Sequence, residues 1–390
     1  MKDENKQRIG DLVVTSFGSE RVNAYVPRPL PPAPALRLDG LLHLIEKANR
    51  ELGRLDGIAT ILPSTDLFIW MYVRKEALLS SQIEGTQSTL SDLLLFEDNE
   101  TVGVPVDDVR EVSNYVLAME HGINRIRSGF PLSLRLIREM HEKLLTSGRG
   151  ASKNPGEFRA SQNWVQGTRP GNALFVPPPP DRLIECLGDL EKFIHQRDTY
   201  PVLIRAALAH VQFETIHPFL DGNGRLGRLL ITLMLIEDQA LTQPTLYLSL
   251  FLKANRARYY ELLQSVREHG DWENWLAFFL EGVIATSKQG FETAQKLVKL
   301  FNEDELSVSS LGRAAPTALR VLADLKRRPL LSVPTAAARL KISQPTIQSS
   351  LLHLEKLGIV REITGRQRGR LYSYKGCLDI LNEGTEPLAR

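Results

Sequence analysis

The segment spanning residues 217–236 constrains the fold most strongly, because it joins a polar loop to an apolar helix. Residues 229–236 are apolar except for Thr232, and a helix that is apolar on all sides belongs at the centre of a core. The twelve residues before it combine a base, a carboxylate, an amide, glycines and two guanidinium groups: His217-Pro218-Phe219-Leu220-Asp221-Gly222-Asn223-Gly224-Arg225-Leu226-Gly227-Arg228. The sequence predicts a buried helix that begins near Gly224 and emerges from this loop.

The chemistry of this loop favours an anionic ligand. Glycines let the backbone pass close to a ligand, and the N–H groups at a helix N-terminus point at an anion. Arg225 and Arg228 are three residues apart, so both guanidinium groups lie on one face of the helix. Asp221 alone is too few ligands for a protein metal cage, but it suits Mg²⁺ that also takes phosphate oxygens. A triphosphate fits this set better than a single phosphate.

The loop resembles the Fic family motif H-x-F-x-[D/E]-G-N-G-R-x-x-R, and every fixed position of that pattern is filled. Fic proteins mostly transfer AMP from ATP to a hydroxyl group of a target protein. The resemblance implies that His217 is the general base, Asp221 holds Mg²⁺, Asn223 and the loop amides form the anion hole, and Arg225 and Arg228 clamp the triphosphate. A Ser, Thr or Tyr hydroxyl needs such a base, and imidazole has a suitable pKa.

The ATP-binding residues expected from the resemblance extend beyond the loop. Tyr259 and Tyr260 occur on a downstream helix where Fic proteins place residues that line the adenine and ribose. For either tyrosine, packing in the core is an equal alternative. The complete predicted set is Glu84, His217, Gly222, Asn223, Gly224, Arg225, Leu226, Gly227, Arg228, Tyr259 and Tyr260.

A second motif, Ser80-Ser81-Gln82-Ile83-Glu84-Gly85, resembles the inhibitory pattern [S/T]-x-x-x-E-[G/N] of Fic proteins. The preceding residues are compatible with a helix, and Gly85 is a natural stop for it. Ser80 and Glu84 share one face near that helix end, where a carboxylate opposes the helix dipole and needs a cationic partner. The resemblance implies that this partner is Arg228 and that the pair is inhibitory. A solvated glutamate is the alternative.

A flap is predicted between residues 163 and 180. Fic enzymes have a hairpin beside the site that pairs with the target segment by strand addition. The residues in the corresponding place are Asn172, Ala173, Leu174, Phe175 and Val176. A packed structural hairpin remains an alternative for this segment.

Length and composition indicate a protein of several domains. The 390 residues suffice for two or three cores, the N-terminus lacks an apolar signal segment, and no apolar run is long enough to span a membrane. The two cysteines, Cys186 and Cys377, support neither a disulfide framework nor a metal site. We expect a cytosolic, mainly α-helical protein. Its predicted divisions are 1–110 (N-terminal arm and inhibitory helix), 111–300 (Fic domain), 313–376 (winged helix) and 377–390 (tail).

The C-terminal module is basic. Residues 313–375 hold thirteen basic and three acidic residues, a net charge of +10, whereas residues 1–312 carry −6. The pattern of three helices and a hairpin around Gly365-Arg366-Gln367-Arg368-Gly369 looks like a winged helix-turn-helix domain. The candidate DNA-contacting residues are Gln344, Thr346, Gln348, Arg366, Arg368 and Arg370. Protein contacts or a homodimer are equal alternatives for such a module.

These observations predict an autoinhibited protein adenylyltransferase that uses ATP and Mg²⁺. Two other functions remain open. Glu84 could activate a water that removes AMP from a modified hydroxyl group, or the chain could be a DNA-binding regulator whose Fic core senses a nucleotide. An intact His217 disfavours the regulator, since pure sensing needs no base.

Overall fold

A β-hairpin and a series of helices form the protein in its computed structural model, which describes residues 5–18, 20–61, 65–97, 104–366 and 369–387. The hairpin strands are β1 (Asp11–Phe17) and β2 (Glu20–Val26). The helices that follow are α1 (Leu42–Ile61), α2 (Thr65–Ile83), α3 (Leu90–Glu97), α4 (Val106–Arg127), α5 (Leu134–Leu144), α6 (Pro180–His195), α7 (Val202–Ile216), α8 (Asn223–Glu237), α9 (Ser249–Ala254), α10 (Arg256–His269) and α11 (Trp272–Ser309). The prediction of a mainly α-helical fold is confirmed.

Helices α7 and α8 lie at the centre of the core. Every residue from Leu203 to Ile216 in α7 is buried, and so is the predicted apolar run in α8. Helix α7 packs against α6 and α11, while α8 packs against α2, α4 and α5. The loop that joins α7 to α8 carries the motif, so the surrounding helices fix both of its ends.

The N-terminal hairpin is a feature that the sequence analysis did not predict. Its two strands pair in antiparallel register from Asp11 with Val26 to Phe17 with Glu20. A signal was present, because Val22, Ala24 and Val26 alternate with more exposed residues and are buried. The backbone N–H of Tyr25 in β2 donates to the Val176 carbonyl at 2.8 Å, so the hairpin lies beside the predicted flap.

Helix α2 is the helix for which an inhibitory role is predicted, and residues near the C-terminus hold it. It ends at Ile83, and Gly85 follows with a φ of +103°, a conformation that favours glycine. The Lys75 ammonium donates to the carbonyl of Glu383 at 2.8 Å, and the Gln82 amide donates to that of Thr385 at 2.9 Å. The tail therefore packs directly against α2.

The C-terminal module alternates short helices and strands. In chain order it contains α12 (Ala315–Arg327), β3 (Leu330–Ser332), α13 (Val333–Leu340), α14 (Gln344–Lys356), β4 (Val360–Glu362), β5 (Leu371–Tyr374) and α15 (Lys375–Asn382). Its antiparallel sheet has the order β3-β5-β4, and the sequence analysis missed β3. Ser343 caps α14, where its hydroxyl accepts from the Thr346 N–H at 3.4 Å. The winged-helix assignment stays a prediction.

Three of the predicted domain boundaries fall inside helices. The boundary at residues 110/111 lies in α4, residue 300 lies in α11, and the boundary at 376/377 lies in α15. Continuous helices therefore connect the predicted units. Among the described residues, no helix combines the length and the apolar character needed to cross a membrane.

Candidate functional site

The predicted base stands at the end of α7 in an uncommon backbone conformation. His217 has φ +50° and ψ +61°, the left-handed region, and its N–H donates to the Phe213 carbonyl at 2.9 Å. This geometry ends the helix and turns the chain into the motif loop. The imidazole lines a cavity of about 270 Å³ together with Asp221, Gly222, Asn223, Gly224 and Arg225.

The surroundings of His217 keep its imidazole neutral. Burial lowers the pKa of His217 to about 4. Its Nδ1 lies 3.3 Å from the carbonyl oxygen of Glu214, and a carbonyl only accepts, so Nδ1 carries the hydrogen. The lone pair is then on Nε2. His217 can therefore accept a proton at neutral pH.

Arg159 fixes the backbone of His217, and it was not among the residues predicted from the sequence. This arginine is 3% exposed, and its Nε donates to the His217 carbonyl at 2.9 Å. Its other nitrogens donate to the carbonyls of Ser161 at 3.2 Å and Pro178 at 2.5 Å. One buried guanidinium thus links the backbone of His217 to the segment just before the flap and to the C-terminal end of the flap. The partners of Arg159 are backbone carbonyls. Every residue type has one, so the sequence gives no signal of these contacts.

The motif loop is closed by its own amide. The Asn223 side chain accepts from the Phe219 N–H at 2.9 Å and donates to the Phe219 carbonyl at 2.8 Å. These bonds close the loop in this conformation and use one of the two N–H donors of the Asn223 amide, so its expected anion-hole contact stays a prediction. The backbone N–H groups of Asn223, Gly224 and Arg225 precede the first intrahelical bond of α8, which Leu226 donates to Gly222, so they are suited to an anion.

His141 supports the same loop and was also missed. Its ring stacks on Phe219 with centroids 3.7 Å apart. Its Nδ1 accepts from the Gly156 N–H at 2.8 Å, so its Nε2–H donates to the Asp221 carbonyl at 3.0 Å. Burial lowers the pKa of His141 to about 4, which keeps this tautomer neutral. His141 therefore positions the backbone of the residue expected to hold the metal.

The inhibitory motif contacts the site as predicted. The Arg228 guanidinium is 2% exposed and donates to the Glu84 carboxylate at 2.7 Å. It also donates to the Ser80 hydroxyl at 2.8 Å and to the Ser80 carbonyl at 3.0 Å. Burial raises the pKa of Glu84, but Arg228, Arg225 and His217 together lower it below its ordinary value. The carboxylate is therefore ionised and paired, and the solvated alternative is excluded.

A second carboxylate binds the other motif arginine. Glu111 of α4 accepts from Arg225 at 3.2 Å through one oxygen and from the Arg149 Nε through the other. Glu111 and Arg225 are 3% and 4% exposed, so this pair forms a buried wall of the cavity. Glu111 and Arg149 both line the cavity, and neither was a sequence candidate.

Asp221 presents a carboxylate suited to Mg²⁺. It is 38% exposed, lines the cavity and lies 3.4 Å from Arg225. In the described part of the chain, no three His, Cys, Asp or Glu side chains are grouped as a complete metal site. This donor set fits Mg²⁺ that takes a single carboxylate and completes its shell with phosphate oxygens and water.

Three of the expected ATP-binding residues are structural in this conformation. Tyr259 is 1% exposed and its hydroxyl bonds to His210 at 2.9 Å, so the core alternative is correct for it. Leu226 is also buried, and its N–H donates within the helix to Gly222. Gly227 packs against Glu214, whose carboxylate oxygen would be 2.5 Å from a Cβ there. Tyr260 remains half-buried and is the tyrosine that a ligand can reach.

The flap is less regular than expected. Val165 and Phe175 form a single antiparallel bridge, and Asn172 lies in a 3₁₀ turn, Pro170–Asn172. Phe175 and Val176 are buried, the former beneath the Arg267 guanidinium at 4.0 Å. Ala173 packs beside β2 with partial exposure, and the Leu174 side chain is 54% exposed. Since Val176 already accepts from Tyr25, the hairpin takes part of the edge expected to bind a target.

The DNA-contacting candidates differ in exposure. Gln344 and Thr346 are exposed at the start of α14, whereas Gln348 is half-buried and donates to the Tyr372 hydroxyl at 2.8 Å. Arg366 and Arg370 are exposed, and the Arg370 guanidinium donates to the Arg366 carbonyl at 2.9 Å. The remaining candidate, Arg368, lies outside the described residues.

Fold and site together define a mainly helical protein with a glycine-rich loop at the N-terminus of a buried helix, a geometry suited to an anion. Comparison with protein families identifies two matches, "Fic/DOC family N-terminal" over residues 42–124 and "Fic/DOC family" over residues 131–235. The chain therefore contains a Fic domain at residues 131–235, preceded by a Fic/DOC N-terminal region at residues 42–124. The N-terminal family region extends to residue 124, beyond the predicted boundary at 110.

Curated relatives and solved structures agree with this assignment. The chain is 31% identical over 204 residues to "Protein adenylyltransferase Fic" of Drosophila ananassae, which covers 51% of this chain and 38% of the relative. The relative of the same name in Drosophila virilis is 31% identical over 204 residues, with 51% and 39% covered. The chain thus spans about two fifths of these relatives' length.

Among solved structures, a Fic family protein from Desulfovibrio desulfuricans G20 has a TM-score of 0.58 and 19% identity, covering 88% of this chain and 98% of that one. A Fic domain containing signaling protein from Bacteroides thetaiotaomicron has a TM-score of 0.52 and 20% identity, covering 65% and 97%. These similarities confirm the fold.

Proposed function

We propose that this protein is an adenylyltransferase that transfers AMP from ATP to a Ser, Thr or Tyr hydroxyl group of a target protein and releases pyrophosphate. The observation that carries the proposal is the position of His217. A neutral imidazole with its lone pair on Nε2 lines the same cavity as Asp221, Arg225 and the N-terminus of α8. The name of the curated relatives supports the same activity.

The proposed reaction needs one proton transfer and one substitution. His217 accepts the proton of the target hydroxyl, and the oxygen attacks the α-phosphorus of ATP. The bond between the α-phosphorus and the bridging oxygen breaks, and pyrophosphate leaves with that oxygen. Arg225 and the first N–H groups of α8 stabilise the phosphate charge. Mg²⁺, when bound at Asp221, would supply further neutralisation of the phosphates.

We propose that the Glu84–Arg228 contact holds the enzyme inactive. Arg228 donates to Glu84 and Ser80 through its Nε and NH2, and both partners belong to the second motif. A triphosphate then lacks one of its two expected arginines, and its α-phosphate is not presented correctly to His217. The exposed Leu174 of the flap is our candidate for target docking.

Removal of AMP is the second candidate within the same site. Glu84 lines the cavity together with His217, so its carboxylate stands where it could activate a water against a modified hydroxyl. An AMP-modified target incubated with the wild-type protein and with Glu84→Gln distinguishes the two reactions. Release of AMP that requires Glu84 would favour removal.

The decisive experiment for transfer uses ATP labelled in two positions. Glu84→Gly protein with Mg²⁺ should incorporate label from ATP labelled at the α-phosphate, into itself or into lysate proteins, and none from ATP labelled at the γ-phosphate. Incorporation of the γ-label would indicate phosphoryl transfer and contradict the proposal. The matched control is the Glu84→Gly/His217→Ala double variant, which should bind ATP without transferring label.

We also propose that the C-terminal module binds duplex DNA. The proposal is supported by the net charge of +10 over residues 313–375 and by two short polar side chains, Gln344 and Thr346, exposed at the start of α14. The exposed Arg366 and Arg370 are suited to phosphate contacts. If DNA binding and nucleotide sensing replace catalysis, the protein should shift duplex DNA in an electrophoretic mobility assay but should not transfer AMP.

A further inference from the structure

A second guanidinium group lines the cavity besides that of the motif residue Arg225. Arg149 belongs to the segment between α5 and α6, and it reaches the cavity wall where Glu111 and Asp221 are also found. We propose that Arg149 binds the β- and γ-phosphates of the nucleotide, next to Arg225. This inference rests on the proposed function and adds a phosphate-binding residue that lies outside the motif.

The backbone around Arg149 is built to approach the motif loop closely. Gly148 and Gly150 have φ values of +81° and +86°, which favour glycine on both sides of the arginine. A Cβ at Gly150 would lie 2.7 Å from a carboxylate oxygen of Asp221. Asn114 anchors the segment, since its amide donates to the Ser147 carbonyl at 2.9 Å. The segment thus meets Asp221 at a distance that a larger residue would prevent.

The guanidinium of Arg149 is only partly engaged by carboxylates. Its Nε donates to Glu111, and its NH2 lies 3.7 Å from Asp108, while 53% of the side chain is exposed. A guanidinium has five N–H donors in a planar fork, so several remain for two phosphate oxygens. Glu111 is almost fully buried and joins Arg149 to Arg225. Because the two arginines share one carboxylate, they face the same part of a ligand.

The charges of the cavity support this assignment. In this conformation Arg228 is paired with Glu84, and Arg225 is paired with Glu111 and Asp221. Arg149 is the most exposed of these three arginines, at 53% against 4% for Arg225 and 2% for Arg228. A polyphosphate that enters would meet it before Arg228 is released. Arg149 would hold the phosphates that become pyrophosphate, whereas His217 serves the α-phosphorus.

The test is calorimetric binding of MgATP, MgADP and AMP in the Glu84→Gly background. Arg149→Ala should weaken ATP and ADP binding about tenfold or more, as expected for a lost charged hydrogen bond, and change AMP binding by less than about twofold. Arg149→Lys should be intermediate because an ammonium lacks the bidentate fork. Arg182→Ala is the matched control, since Arg182 pairs with Glu185 on the surface of α6 and does not line the cavity.

A purely structural role makes a different prediction. If Arg149 only neutralises Glu111, the Arg149→Ala/Glu111→Gln double variant should regain ATP affinity, and that result would overturn the inference. Equal weakening of ATP and AMP would also overturn it, because a displaced loop affects every nucleotide. If the parent protein binds ATP and Arg149→Ala binds it equally well, the inference fails while the proposed function stands. If the parent protein binds no nucleotide, the proposed function itself fails.

Discussion

Replacing Glu84 with glycine should lower the stability of the ligand-free protein and raise its activity. Removing one partner of a buried ion pair costs about 3–5 kcal/mol, because the remaining charge stays buried. Here the cost should lie near the lower end, since Glu84 is 35% exposed and Arg228 keeps two hydrogen bonds to Ser80. Removing the unfavourable interaction between the Glu84 carboxylate and the dipole of α2 regains about 0.3–1 kcal/mol of stability. The net loss should be about 2 kcal/mol.

Nucleotide binding should offset this loss in the variant. At a free ligand concentration of about 100 times Kd, binding stabilises the native state by about 2.7 kcal/mol. Thermal unfolding with and without MgATP should therefore show a larger upward shift for Glu84→Gly than for the wild type, and α-labelled ATP should modify the variant faster. Glu84→Gln, which keeps an oxygen for Arg228 but no charge, should fall between them. Equal unfolding temperatures and equal labelling in all three proteins would refute the inhibitory pairing.

Three further predictions follow from the site and the module. In the Glu84→Gly background, His217→Ala should reduce transfer about 10²- to 10⁴-fold while ATP binding stays the same; a similar rate would require another base. Because burial lowers the pKa of His217 to about 4, kcat/KM in that background should fall as pH drops through about 4, where the imidazole becomes protonated; a midpoint near 6.5 would contradict a desolvated base. In mobility shifts with random duplexes, the affinity for DNA should fall steeply with salt, and Arg370→Ala should reduce the slope of log affinity against log salt by about one. The control Lys288→Ala, which removes an exposed cation from α11, should leave that slope unchanged. If no shift occurs at low salt, the module is reassigned to protein contacts.

Truncation is a poor test of the basic module, for a structural reason. Deleting the chain after Arg313 would remove the basic module and the tail together. The carbonyls of Glu383 and Thr385 accept from Lys75 and Gln82 on α2. Truncation would therefore also remove contacts that hold the helix with Ser80 and Glu84. Single substitutions in exposed residues separate the two effects.

The sequence predicted the helical fold because its long helices have clear apolar periodicity. The buried centre at α8 and the stop of α2 at Gly85 followed directly from residue type. The short elements were missed for the opposite reason. Strand β3 has three residues, Leu330–Ser332, too few for a pattern of alternation to be recognised. The flap has less internal strand pairing than the predicted hairpin, since contacts with Tyr25 and Arg267 hold it in place.

The site shows a second limit of prediction from the sequence: a residue's type indicates its chemistry but not which side chain or backbone group it will contact. Arg228 was matched to Glu84 from the motif, yet Arg225 and Arg149 meet on Glu111, a residue from a distant helix with no motif of its own. Asn223 has the polar side chain that an anion site needs, but its carbonyl oxygen and one of its two N–H donors bond to the backbone of Phe219. Unpaired polar groups are costly in a buried loop, so the nearest backbone partner competes with the ligand.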